Sequence, residues 1–185
     1  MICASNDNST PEFQHLNITG QKSLNGKVSI SGAKNSALVL LAASLLTKEE
    51  ICLENVPKLT DIKKMKNILQ NLGVVFSNTK SGLKINSKDL YIDELPYELV
   101  NSLRASFFCI GPLLTRLGEI SLALPGGCDI GERPINEHLR GLKELGATID
   151  IQNKLVNARI NNKRKRLIGT NIRLKCPSVG ATETL

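Results

Sequence analysis

The 185-residue sequence predicts an α/β protein assembled from helix-and-strand repeats, and three observations carry that reading. Apolar residues follow a helical period in some segments and a strand period in others. Corresponding corners return at a steady interval: Leu72-Gly73-Val74 and Leu145-Gly146-Ala147 stand about 70 residues apart, as do Lys34-Asn35-Ser36 and Arg104-Ala105-Ser106. Finally, hydrophobic residues make up 41% of the chain but aromatic ones only 3%, with no Trp. The core must therefore be built from Leu, Ile, Val and Ala, as in layered helix and sheet structures, and stacking of bases on aromatic rings is disfavoured.

Residues 1–14 are dominated by Ser, Asn, Asp and Thr and read as a disordered tail, because little apolar surface offsets the entropy of ordering. Residues 15–185 read as one incomplete domain with repeats at about 28–95 and 96–175 and a third opening at Ser178. In the first repeat, residues 28–31 alternate as a strand does, and Gly32-Ala33-Lys34-Asn35-Ser36 leads into an Ala/Leu-rich helix ending near Leu46. Residues 51–54 form a strand and Asn55-Val56-Pro57 a turn. Thr60-Asp61 then caps a helix with Ile62, Met65, Leu69 and Leu72 along one face. Gly73 ends it, Val74-Val75-Phe76 starts a strand, and Gly82 marks a hairpin before Leu83 and Ile85.

The second repeat follows the same grammar: a helical stretch over 99–117, a strand over 120–124, a glycine-rich loop, and a helix over 135–145 with Ile135, Leu139, Leu142 and Leu145 on one face. Gly146 closes that helix before Ala147-Thr148-Ile149, and residues 155–160 and 171–174 read as further strands. Gly180-Ala181-Thr182 stands about two intervals after Gly32-Ala33-Lys34. A helix opened at Ser178 and cut at Leu185 leaves its apolar face without partners, so the chain is expected to be a fragment of a larger protein.

The net charge of +7 and the run Lys163-Arg164-Lys165-Arg166 raise the question of nucleic acid. The run lies between Asn161-Asn162 and Gly169, the setting of a solvated loop, and the remaining positive charge is dispersed, which suits a small anionic substrate. Neither a nucleic acid nor a membrane is expected as a partner: the longest apolar stretch, residues 37–46, is too short to span a bilayer. The five cysteines, Cys3, Cys52, Cys109, Cys128 and Cys176, are odd in number and widely spaced, without a zinc-type or dithiol pair. With no secretory signal at the N-terminus, a cytoplasmic protein is expected.

The chemistry is expected on the loop Leu124-Pro125-Gly126-Gly127-Cys128-Asp129-Ile130-Gly131-Glu132-Arg133-Pro134. Its glycines let backbone approach a ligand closely, and Pro134 suits a first helical turn. Arg133 offers a forked cation for phosphate or carboxylate, and such a cation beside Cys128 favours the reactive thiolate. The alternative for Cys128 is a small buried residue in a tight turn. Lys34 and Asn35 stand at a helix N-terminus, where free N–H groups and the helix dipole attract anions; an exposed lysine followed by a capping asparagine is the plainer alternative.

Taken together, Gly32-Ala33-Lys34-Asn35-Ser36-Ala37, Asn55-Val56-Pro57, Leu103-Arg104-Ala105-Ser106, the cysteine loop and Pro177-Ser178-Val179-Gly180-Ala181-Thr182 closely resemble, in order and over about residues 16–185, the UDP-N-acetylglucosamine 1-carboxyvinyltransferases of the enolpyruvyl transferase family. The resemblance implies an inside-out α/β barrel domain, of which this chain holds about two repeats and the start of a third. It implies transfer of the enolpyruvyl group of phosphoenolpyruvate to the 3-hydroxyl of UDP-N-acetylglucosamine with release of phosphate, the first committed step of peptidoglycan synthesis, with no metal or organic cofactor.

By the same resemblance Cys128 is the general acid at the enolpyruvyl methylene and the target of fosfomycin, while Lys34, with Asn35 beside it, contacts phosphoenolpyruvate. Arg104 contributes to the substrate site, and Arg133 is shared between phosphate and nucleotide. Pro134, Ile135, Asn136 and Glu137 line the UDP-sugar pocket, with Asn136 standing where many relatives have an acidic residue. Ser178, Val179 and Gly180 belong to a loop near the uridine diphosphate, and Cys176 occupies a position that is lysine in some relatives. The base is implied to be an aspartate from the other half of the family's proteins, so the chain by itself is expected to be inactive. The related 5-enolpyruvylshikimate-3-phosphate synthases share the architecture but lack the Pro-Gly-Gly-Cys loop. A non-catalytic UDP-sugar-binding remnant is the reading from a different class.

Overall fold

The computed structural model describes residues 17–21, 23–91, 97–125, 134–161, 163 and 165–185. The expected tail over 1–14 lies outside them, as do residues 126–133 of the cysteine loop.

Within residues 17–30, the described positions are exposed and adopt no helix or strand. The strand expected at 28–31 does not form, and Val28 and Ile30 are 89% and 88% exposed. Alternation of apolar residues makes a strand only where a second strand takes up the backbone N–H and C=O groups, and none among the described residues does so here.

From Ser31 onward the chain runs as helix α1 (Lys34–Ala43), continued by a 3₁₀ turn (Ser44–Leu46), then β1 (Ile51–Leu53), α2 (Thr60–Asn71), β2 (Val75–Asn78) and β3 (Leu83–Asn86). Next come α3 (Tyr97–Asn101), a 3₁₀ stretch (Arg104–Cys109), α4 (Ile110–Leu117), β4 (Glu119–Ala123), α5 (Asn136–Glu144), β5 (Ala147–Gln152), β6 (Leu155–Ile160) and α6 (Val179–Thr184). The strands make two antiparallel three-stranded sheets with matching order, β1-β3-β2 and β4-β6-β5. In each, the third strand in sequence lies in the middle, held to the second by a hairpin. Asn153 and Lys154, both at positive φ, make the β5–β6 turn, a backbone twist that matches the twist of the flanking strands.

One core joins the helices to the inner faces of both sheets. Leu38, Leu41 and Leu45 of the α1 segment, Met65, Ile68 and Leu69 of α2, and Ile110, Leu113 and Leu114 of α4 are buried together with Ile85 of one sheet and Ile120, Leu122 and Val156 of the other. The α2 face is the one expected from its spacing. Its start is not: Thr60 is the first helical residue and caps nothing, because Leu59 occupies the cap position, and Asp61 turns its carboxylate to Lys34.

The single helix expected over 99–117 is broken at Ser102 and Leu103, where Leu103 is extended, and its middle winds as 3₁₀. Two causes are visible. Ser102 and the buried Ser106 donate their hydroxyls back to the Leu99 and Val100 carbonyls, competing with helical bonding. Pro112 has no N–H and clashes with a continuous helix, but as the third residue of a helix that starts at Ile110 it costs no bond. Arg116 of α4 ties this region to the first sheet: its guanidinium donates to the carbonyls of Leu45, Thr47, Ser87 and Lys88 at 2.8, 2.7, 3.1 and 3.4 Å.

Residues 171–174, expected as a strand, pair with no strand among the described residues; instead α5 side chains hold the Arg173 carbonyl and, just beyond, the Lys175 N–H. The α6 helix is not without partners as expected. Ala181 is fully buried, and the helix packs on α5 and α4, where Gly111 faces the Thr184 carbonyl and Gly141 faces the Leu185 side chain.

Candidate functional site

The first site element is the entrance to α1. Gly32 donates its N–H to Asn55 Oδ1 at 3.1 Å, and a Cβ at Gly32 would lie 1.9 Å from the Asn55 carbonyl oxygen, so only glycine fits this crossing. The motif Gly32-Ala33-Lys34-Asn35 is thereby locked to the Asn55-Val56-Pro57 turn. Lys34, Asn35 and Ser36 are exposed on the first turn of α1, where no side chain caps the helix. The turn therefore presents N–H groups to solvent beside a lysine, the arrangement expected of an anion-binding end. Lys34 Nζ lies 2.8 Å from Asp61 Oδ2.

A second element gathers at the start of α5. Pro134 is exposed and precedes the helix by two positions, so it is not in the first turn; Ile135 holds the cap position and Asn136 is the exposed first residue. Glu137 is buried, and its carboxylate accepts from Arg140 Nη2 at 2.7 Å and from the Lys175 N–H at 2.9 Å. The Arg140 bond first, and the Lys175 N–H second, hold the Glu137 carboxyl below the usual carboxylate range.

His138, which sequence reasoning passed over, is the centre of this element. It is 6% exposed, and its ring meets Phe107 edge-on at 5.4 Å. A Cβ at Gly180 would lie 3.0 Å from His138 Nε2, so the α6 backbone closes directly onto the imidazole. Burial first, then the Arg104 charge, push the His138 pKa down from its ordinary value. The fold thus brings Arg104, half-buried at the start of the 3₁₀ stretch, together with the head of α5 and with Gly180. The signal was present in the sequence, because His138 sits three residues after Ile135 and four before Leu142, on the buried face of its helix.

Ser178 caps α6, its Oγ accepting from the Ala181 N–H at 3.2 Å, while Val179 is 75% exposed. Cys176 is exposed. Cys128 and Arg133 lie outside the described residues, so the cysteine loop is placed only by its ends, Leu124 and Pro125 after β4 and Pro134 before α5. Among the described residues no cluster of His, Cys, Asp and Glu could hold a metal ion, and no helix is long and apolar enough to cross a membrane.

Two sheets of matching order, helices packed into a shared core and site elements at helix starts define the class, and the fold is that of the enolpyruvyl transferases. The solved enolpyruvyl transferase NikO from Streptomyces tendae superposes with a TM-score of 0.64 at 22% identity, covering 78% of this chain and 31% of that one. The EPSP synthase of Acinetobacter baumannii superposes with a TM-score of 0.64 at 17% identity, covering 86% of this chain and 36% of the other. Residues 18–185 match the EPSP synthase (3-phosphoshikimate 1-carboxyvinyltransferase) family, and the chain belongs to that family.

Within it, the UDP-N-acetylglucosamine 1-carboxyvinyltransferase of Prochlorococcus marinus subsp. pastoris (strain CCMP1986 / NIES-2087 / MED4) is 66% identical over all 185 residues, which span 40% of that protein. The protein of the same name from Parasynechococcus marenigrum (strain WH8102) is 57% identical over 170 residues, 92% of this chain and 39% of that one. The chain thus spans about two fifths of the length of the curated relatives it matches.

Proposed function

We propose that the chain contributes part of the substrate site of a UDP-N-acetylglucosamine 1-carboxyvinyltransferase, which moves the enolpyruvyl group of phosphoenolpyruvate to the 3-hydroxyl of UDP-N-acetylglucosamine and releases phosphate. The observation that carries the reading is 66% identity along the whole chain to a protein of that name. Membership of the EPSP synthase family and fold neighbours of 17–22% identity also fit a 5-enolpyruvylshikimate-3-phosphate synthase, but identities that low speak for the fold alone.

In this reading Cys128 donates the proton to the enolpyruvyl methylene, which generates oxocarbenium-like character at the adjacent carbon for the sugar hydroxyl to attack. Lys34 with Asn35, at the open end of α1, and Arg133 meet phosphate and carboxylate. Arg104, Pro134, Ile135, Asn136 and Glu137 with Ser178, Val179 and Gly180 form the nucleotide-sugar side, and the gathering of Arg104 and Gly180 around the start of α5 supports that grouping. The matching strand orders support repeats at about 28–95 and 96–175 of an inside-out barrel, with a third opening at Ser178. Peptidoglycan synthesis in the cytoplasm is the setting that this activity implies.

The test is intact-mass analysis and peptide mapping after fosfomycin treatment, with and without UDP-N-acetylglucosamine. It is run on the chain and on a protein extended by the homologous remainder of a relative. The expected result is an adduct on Cys128 in the extended protein. A folded extended protein that binds the UDP-sugar but gives no adduct would remove the role of Cys128 and favour a non-catalytic binding protein.

A further inference from the structure

A glutamate and an arginine one helical turn apart on a solvated surface do little beyond attracting one another. The pair on α5 is different, because both members also hold backbone more than thirty residues away. Glu137 Oε2 accepts from Arg140 Nη2 and from the Lys175 N–H, while the same Nη2 donates to the Arg173 carbonyl at 2.7 Å. Glu144 completes the set as a second partner of the guanidinium. The side chains of Glu137 and Arg140 are only 10% and 23% exposed. Residues 171–177 have no ladder or helix of their own, so these bonds supply their backbone with partners. Three residues beyond Lys175 the chain reaches Ser178, the cap of α6, and then Gly180 against His138.

We infer that Glu137 and Arg140 are positioning residues that clamp the 173–175 backbone to α5 and thereby set the Ser178-Val179-Gly180 loop for a nucleoside diphosphate sugar. The inference rests on the proposed function, in which that loop faces the uridine diphosphate. It assigns Glu137 a role different from lining the pocket, since its carboxylate is committed to Arg140 and Lys175. Arg140 enters the site only through the backbone it holds. A pre-formed loop spares the ligand the entropy of ordering it, so the clamp acts on affinity rather than on the chemical step.

The test uses the chain extended by the homologous remainder of a relative, and UDP-N-acetylglucosamine, with calorimetric titration for affinity and hydrogen exchange read by mass spectrometry over residues 173–181. Glu137→Leu and Arg140→Met are expected to speed exchange of this segment and to weaken the UDP-sugar about tenfold, while far-UV circular dichroism stays that of the parent. Glu137→Gln retains an oxygen for the Lys175 N–H and is expected to recover most of both. Unchanged exchange in Glu137→Leu and Arg140→Met overturns the clamp. Faster exchange with unaltered affinity overturns the positioning role, as does a Gln variant no better than the Leu variant. A folded extended parent that binds no UDP-sugar overturns the substrate reading and the positioning role together, whereas losses confined to the variants leave the substrate reading intact.

Discussion

Lys34 Nζ and Asp61 Oδ2 lie 2.8 Å apart, joining the first turn of α1 to the first turn of α2. The pair is half-exposed, at 49% and 34% for the two side chains, so it contributes little to stability. Its importance is electrostatic, because the carboxylate offsets the Lys34 ammonium set at the open end of α1.

Asp61→Asn is therefore expected to raise the affinity of the chain for inorganic phosphate about fivefold, the worth of one unit charge removed from about 4 Å away in water. Titration of phosphate at low ionic strength checks this, with Lys34→Met as the comparison that loses the binding. Weaker binding in Asp61→Asn would mean that the carboxylate is needed to aim the lysine. The unfolding free energy should shift by less than about 1 kcal/mol.

Arg116 is expected to matter far more to stability than any surface ion pair. Truncation to Met leaves the carbonyls of Leu45, Thr47 and Ser87 without the guanidinium that they share, and should destabilise the chain by about 3 kcal/mol in urea unfolding. Arg116→Lys, with a single ammonium in place of a fork, should recover part of that loss. A change below about 0.5 kcal/mol for Arg116→Met would show that water replaces the guanidinium at little cost.

Cys109 is fully buried, and burial pushes its thiol up to about 12. The folded pKa is raised, so its contribution to stability is complete below about pH 9 and is lost as pH rises toward 12. A Cys109→Ala variant should show a shallower decline of stability over that window than the parent. In the native protein at pH 8, iodoacetamide should label the exposed Cys52 and Cys176 and spare Cys109 until urea is added. Native labelling of Cys109 would contradict its burial.

His138 gives the opposite sign. Its folded pKa is depressed, so its contribution is present above about pH 6.5 and is lost as pH falls, because the unfolded chain takes up the proton more readily. Proton NMR of the imidazole should show His138 titrating below a model histidine, with His15 as the other signal in the spectrum. Arg104→Met should raise the His138 pKa by removing the second cause of its depression. No movement of that resonance in Arg104→Met would separate the two groups.

Much of the fold was legible in the residues. The helical faces of α2 and α5, the hairpin before Leu83 and the glycine ends of helices at Gly73 and Gly146 follow from periodicity and local backbone preference. So does the opening of a helix at Ser178, which depends on neighbours only a few residues away, whereas the residues left open whether Asn35 caps α1. The strands expected at 28–31 and 171–174 do not form, because alternation describes a face, whereas a strand exists only where a partner supplies its hydrogen bonds. The helix expected over 99–117 failed where Pro112 and two serines opposed the periodicity of their apolar neighbours.

The sequence by itself determined the family, through ordered motifs whose residue types the proposed chemistry requires, and the helices whose apolar faces it spells out. Only the tertiary structure decided that Asp61 faces Lys34, that His138 stands buried between Arg104 and Gly180, and that Glu137 and Arg140 grip residues 173–175. The physical reason is separation along the chain. Local propensity acts over a turn or two, while these contacts join residues 27 to 42 positions apart whose meeting depends on how every intervening element packs.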